Sequence, residues 1–160
     1  MSVLFYGSAF IAVLSTLLVI TRTNVVHALM YFIVSLLAVA VIFFTLGAPF
    51  AAALEVIVYA GAIMVMFLFV IMMLNLGKTT QDQEKSWLTP GIWIGPVILV
   101  IPLLLEMIFV IHLEHQDMAL AVVSAKDVGV DLFGPYVLAV ELASMLLLAG
   151  LVGAYHLARK

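Results

Sequence analysis

The sequence holds no cysteine, so it forms no disulfide and supplies no thiolate for an iron–sulfur cluster. Charge is scarce as well. Charged residues make up 9% of the chain against 67% hydrophobic residues, and the mean hydropathy is +1.35. Such a chain cannot clothe itself in a polar surface, which excludes a water-soluble globule. Its 6 Lys and Arg residues and net charge of -3 leave no basic patch for nucleic acid. No lysine falls inside an apolar run: Lys78, Lys85 and Lys126 lie in polar stretches and Lys160 closes the sequence. A chain that pumped ions alone would more often carry a full transmembrane series of ionisable groups. A secretory signal is also missing, because the first charge, Arg22, follows an apolar run long enough to span. The first run therefore reads as a retained helix.

What is present is long apolar runs. Segments of about 3–20, 25–46, 50–76, 92–111 and 133–157 have the length of spanning helices and lack the short alternation of barrel strands. The expected fold is an all-α integral membrane protein, a single membrane domain over 1–160 with five transmembrane helices. Alternating sides puts Arg22, Lys78, Lys85, Arg159 and Lys160 on one face and Lys126 alone on the other. That bias predicts an outside N-terminus and a cytoplasmic C-terminus.

The third run, FAAALEVIVYAGAIMVMFLFVIMMLNL over 50–76, is the most informative. As a helix it would measure roughly 40 Å, longer than a ~30 Å hydrocarbon layer, so it must tilt, bend or bulge. Glu55 and Tyr59 stand four apart and share a face inside the membrane. Gly61 beside them relaxes the backbone and admits a neighbouring helix. Met64 to Leu74 beyond is entirely apolar, a dry barrier to water.

In the fifth run Glu141 stands eight residues in, about 12 Å from the outer end. Ala139, Ala143, Gly150 and Ala154 form a small-residue side for close helix packing. An acidic residue at such depth costs on the order of 2.5 to 3.5 kcal/mol. Two readings stay open for these glutamates: a proton relay, or a hydrogen bond across a helix interface.

The remaining features read more plainly. The first helix, with Tyr6, Gly7, Ser8, Ser15 and Thr16, is a packing or lipid-facing helix, and Thr21 to Asn24 cap the second. His27 and Tyr31 follow one turn apart, His27 at interfacial depth. Gly47-Ala48-Pro49 is a short outer turn, making helices two and three antiparallel neighbours. The polar inner stretch 77–86 leads to Trp87 and Trp93 at the headgroup boundary. Pro96 and Pro102 favour kinks in helix four, and Glu106 near its outer end can snorkel to water. His112, Glu114 and His115 lie in an aqueous outer loop over 112–131 and read as solvated side chains rather than a metal pair. Gly134-Pro135 opens helix five.

Three stretches, TRTNVVHAL at 21–29, LEVIVYAGAIMVMFLFVIMMLNL at 54–76 and VGVDLFGPYVLAVELASMLLLAGLVGA at 128–154, resemble a known family end to end. It is that of the J-type membrane subunits of bacterial NADH:quinone oxidoreductase, respiratory complex I, counterparts of the mitochondrially encoded sixth membrane subunit. The chain departs from the family at Val25, where proline is common, and at Ala139 and Val140, where proline and phenylalanine are common. The resemblance implies a multi-pass subunit of the bacterial inner membrane that binds no cofactor itself, in a complex that uses NAD, FMN, iron–sulfur clusters and quinone and exports protons. It implies partner subunits of the K, A, H and N types. It further implies that Tyr59, Ala60, Gly61 and Ala62 mark a π-bulge, that Val65 and Phe69 are gate residues, and that rotation of this helix opens or closes a water path.

Two other function classes suit the same residues. Buried glutamates and Gly- or Pro-interrupted helices also occur in small secondary transporters that act as homo-oligomers. In a purely structural subunit the polar residues would specify packing alone.

Overall fold

The computed structural model describes residues 2–22, 25–74, 91–113 and 122–159. Expectations for 75–90, including Lys78, Lys85 and Trp87, and for Glu114, His115 and Lys160 lie outside those residues. Among the described residues all regular structure is helical, and four helices are long and apolar enough to cross a membrane: Val3–Thr21, Val25–Thr45, Pro49–Met73 and Val137–Ala158. A fifth apolar stretch, Trp93–Phe109, is shorter.

The chain divides into two compact units, Met1–Val122 and Val123–Lys160. In the first, α1 (Ser2–Thr21) and α2 (Val25–Thr45) pack along each other. Small and hydroxylated residues allow the close approach: Ser8, Ser15 and Ala38 are wholly buried. The Thr16 Oγ1 and Ser35 Oγ lie 2.9 Å apart and both lie within reach of the Ala12 carbonyl oxygen, at 2.8 and 3.2 Å, so one hydroxyl donates to that carbonyl and the other donates to it or to its partner hydroxyl. These bonds replace water at a seam where none is available. Ile11, Val34, Ala38 and Leu103 form the apolar centre, the last supplied by α5 (Gly91–Leu113).

The end of α2 is set by Gly47, whose φ of 81° is open to glycine at little strain. Ala48 N–H donates to Phe43 O at 3.0 Å and Gly47 N–H to Phe44 O at 3.1 Å, satisfying the last carbonyls of the helix. Pro49 then occupies the first turn of the next helix, where its missing N–H is no loss. This helix comprises α3 (Pro49–Leu54), a π-helical segment (Glu55–Ile63) and α4 (Met64–Leu74). It packs on α2, as the short turn predicts. Helix α5 continues through Pro96 and Pro102 without interruption.

The second unit holds α6 (Ala125–Phe133) and α7 (Val137–Ala158). Residues 125–131, read from sequence as loop, are helical because Ser124 and Asp127 close a capping box: Asp127 N–H donates to Ser124 Oγ at 3.2 Å and Ser124 N–H to Asp127 Oδ2 at 3.2 Å. Gly134 ends α6, since a Cβ there would stand 2.7 Å from the Val130 carbonyl oxygen. The turn through Pro135 and Tyr136 delays the next helix to Val137, later than the expected start at 133.

Candidate functional site

The π segment occupies nine residues, Glu55–Ile63, and includes Glu55, Tyr59, Ala60, Gly61 and Ala62. At its entrance the Glu55 N–H is shared between the carbonyls of Ala51 and Ala52. At its exit the Met64 N–H reaches back five residues to Tyr59 O, and also to Gly61 O. The wide turn brings the Val56 carbonyl under residue 61, where a Cβ would meet it at 3.2 Å. Glycine avoids that contact. Wide turns of this kind relieve overlong helices and recur at functional sites.

Glu55 is half-buried and Tyr59 half-exposed; among the described residues neither side chain hydrogen-bonds to another. Val65 and Phe69 lie beyond the π segment on α4, each 63% exposed, on a face that the described residues of the first unit leave uncovered. Between the two sets sits Met64, 1% exposed, the largest fully buried side chain among the described residues. Sequence reading missed it, because one methionine in a run of apolar residues carries no mark of burial. An apolar cavity of about 300 Å³ adjoins the start of the π segment, lined among others by Leu37 and Phe44 of α2, Ala52 and Val56, and Val100 and Met107 of α5.

Glu141 belongs to the second unit. With α7 starting at Val137, it stands four residues, about 6 Å, from the helix start rather than about 12 Å. It is exposed within its unit, as are Ala139, Ala143, Gly150 and Ala154, and its carbonyl accepts from Ser144 Oγ at 2.7 Å.

Glu106 is partly buried and turns one carboxyl oxygen toward α1. Ser8, wholly buried in α1, donates its hydroxyl to Glu106 Oε2 at 2.5 Å, and the other carboxyl oxygen rests against Gly7. A Cβ at position 7 would overlap it. Tyr31 is likewise more than a neighbour of His27: it is buried, its hydroxyl rests against Gly95, and the Arg22 guanidinium stands 5.5 Å from its ring centroid. A glycine and its knob lie 64 and 99 residues apart in these two pairs (95 − 31 and 106 − 7), which no local pattern reveals.

Among the described residues no three His, Asp or Glu side chains gather to hold a metal, and the chain has no cysteine. The residues present therefore do not fit an iron–sulfur cluster.

Comparison with known proteins covers nearly the whole chain. The NADH-ubiquinone/plastoquinone oxidoreductase chain 6 family model matches residues 15–157. NADH-quinone oxidoreductase subunit J of Pseudomonas aeruginosa is 60% identical over 158 residues, 98% of this chain and 95% of that protein. The subunit J of Escherichia coli K12 is 59% identical over 157 residues, 98% of this chain and 85% of that protein. That of Buchnera aphidicola subsp. Schizaphis graminum is 50% identical over 161 residues, 100% of this chain and 99% of that protein. With this coverage, and with the long apolar helices of a membrane subunit, the chain belongs to the NADH-ubiquinone/plastoquinone oxidoreductase chain 6 family.

Proposed function

We propose that the chain is a membrane-arm subunit of a proton-translocating NADH:quinone oxidoreductase, in which the helix Pro49–Leu74 acts as a conformational water gate. One observation carries this reading: the nine-residue π segment lies in the same span as Glu55, directly before an apolar stretch. In the wide turn, backbone groups are one residue out of α register. Moving between π and α register rotates everything beyond the segment, Val65 and Phe69 included, with little change at α3. Glu55 and Tyr59 supply a polar section that water can enter, and Val65 and Phe69 a dry section that it crosses only after rotation. Those two side chains are exposed among the described residues of the first unit, and in this reading neighbouring subunits supply the other wall of the gate.

In this reading quinone reduction elsewhere in the complex drives the register change. Glu55, Tyr59 and Glu141 take part in coupling rather than in electron transfer. The chain contributes no flavin, iron–sulfur or quinone site. NAD, FMN, iron–sulfur clusters and quinone act in other subunits, and the membrane neighbours are of the K, A, H and N types. The 160 residues act as one membrane domain of five spans in the bacterial inner membrane, N-terminus outside and C-terminus in the cytoplasm, the orientation that the distribution of Lys and Arg favours.

The test is a mild-detergent native gel of membranes carrying a tagged copy. The expected result is co-migration with a large assembly that oxidises NADH and reduces quinone. Migration as a small free oligomer would overturn the proposal, as would proton-coupled solute flux in liposomes containing this chain alone.

A further inference from the structure

The helix α5 contains two prolines, each of which removes a backbone hydrogen bond, yet it supplies one wall of the cavity that Val56 of the π segment also lines. Something must hold that wall in register. Two knobs seated in two glycines tie α5 to its neighbours, one from α2 and one into α1. From α2, the Tyr31 hydroxyl sits against Gly95 of α5. From α5, the Glu106 carboxyl sits against Gly7 of α1 and takes the Ser8 hydroxyl at 2.5 Å. The two sites lie eleven residues apart along α5 (106 − 95), or about 16 Å as a helix. They bracket Leu103, the residue by which α5 enters the apolar centre, and Val100, which lines the cavity.

We infer that Tyr31 and Glu106 are positioning residues: they lock α5 to the α1–α2 pair at two points and so fix the wall against which the π segment changes register. The inference rests on the gate reading of that segment. Two pins separated along an axis prevent both sliding and rotation, which one pin does not. The tyrosine is the stiffer, because its ring has two torsions and cannot bend aside. A methyl group on Gly95 would meet the ring carbon Cζ at 3.1 Å as well as the hydroxyl, so α5 itself must move. The glutamate is the softer pin, because a methyl group on Gly7 would meet only the end of a flexible side chain. What is lost there is the bond to Ser8, whose hydroxyl is wholly buried and then lacks that acceptor. With α5 displaced, the cavity changes shape beside Val56. The register change then loses its fixed reference while the redox chemistry in other subunits is untouched.

The experiment uses the assembled oxidoreductase in proteoliposomes, reading protons moved per NADH, NADH oxidation with the gradient collapsed by an uncoupler, and amide exchange along α5 by mass spectrometry. Gly95→Ala is expected to lower the proton yield per NADH by about half or more, to leave uncoupled NADH oxidation near the parent level, and to speed amide exchange in 91–113 roughly tenfold. Tyr31→Phe combined with Gly95→Ala removes the overlapping hydroxyl, leaves only the 3.1 Å contact with Cζ to be taken up by a small shift, and is expected to recover most of both readouts, a coupling that only residues in contact show. Should Gly95→Ala block assembly, Glu106→Ala and Glu106→Gln take its place: Gln retains an acceptor for Ser8 and keeps the parent proton yield, and Ala does not. Parent-like yield and exchange in Gly95→Ala, or a double variant no better than the single one, would overturn the inference. So would faster exchange at full proton yield, which is a structural role alone. A parent enzyme that oxidises NADH without moving protons counts instead against the gate reading, and amide exchange still decides whether the pins hold α5.

Discussion

Gly61 offers the most direct perturbation of the π segment. Any side chain there places its Cβ 3.2 Å from the Val56 carbonyl oxygen, where ordinary contacts begin at 3.4 Å, and no described side chain or neighbouring helix comes within 4 Å. The conflict is thus with the carbonyl that the wide turn brings beneath residue 61 rather than with a neighbouring helix. Relieving a few tenths of an ångström by tilting the peptide takes a change of several degrees, about 1 kcal/mol. Alanine imposes this much; valine imposes nearer ~2 kcal/mol, because its branched side chain is stiff at χ1 and cannot swing clear. One to two kcal/mol changes a two-state ratio by a factor of roughly 5 to 30, enough to turn a gate that visits both registers into one held in the α register. The assay is proton uptake per quinone reduced in proteoliposomes, with a density map of the assembled complex read for the hydrogen bonds of residues 59–64. Gly61→Val is expected to assemble and to lose more coupled activity than Gly61→Ala, and its Met64 N–H is expected to turn from Tyr59 to Ala60. Normal quinone reduction with normal proton yield in Gly61→Val would refute the reasoning.

Three further outcomes follow from the packing. Met64→Ala empties the largest fully buried side-chain site among the described residues and is expected to destabilise the subunit by about 2–5 kcal/mol, seen as earlier thermal release from the assembled complex. Ser124→Ala removes the capping box of α6, so amide exchange over 125–133 should rise by the equivalent of about 1 kcal/mol while α7 is unaffected. Glu55→Gln and Tyr59→Phe keep shape and remove a carboxylate or a hydroxyl; both are expected to assemble normally and to lower proton yield, and unchanged yield in both would mean that these residues serve packing alone.

The spans were legible because apolar length is a one-dimensional property, and the 47–49 turn because Gly and Pro mark opposite ends of helices. The capping box at Ser124 and Asp127 is also a local pattern, but the polar residues around it made the stretch look like loop. Glu106 was placed by depth alone; its true environment depends on Gly7 and Ser8, which are remote in sequence and meet it only through the packing of α1 on α5. Glu141 was counted eight residues into its helix because that helix was started at Phe133, before the turn at Gly134. The π register was implied by family resemblance and not by composition. Nothing in the residue types over 55–63 marks whether an N–H reaches four or five residues back, which is decided by the surroundings of the helix.

The uncovered face of α4 has a consequence for biogenesis. Among the described residues of the first unit the helix Pro49–Leu74 buries little beyond Ala52 and Met64, so it has few contacts of its own there and, in the gate reading, leans on neighbouring subunits. A copy made ahead of its partners is anchored chiefly through α2 and the Gly47 turn. The abundance of the folded subunit should therefore follow the supply of its neighbours rather than its own rate of synthesis, and surplus copies become substrates for membrane proteolysis.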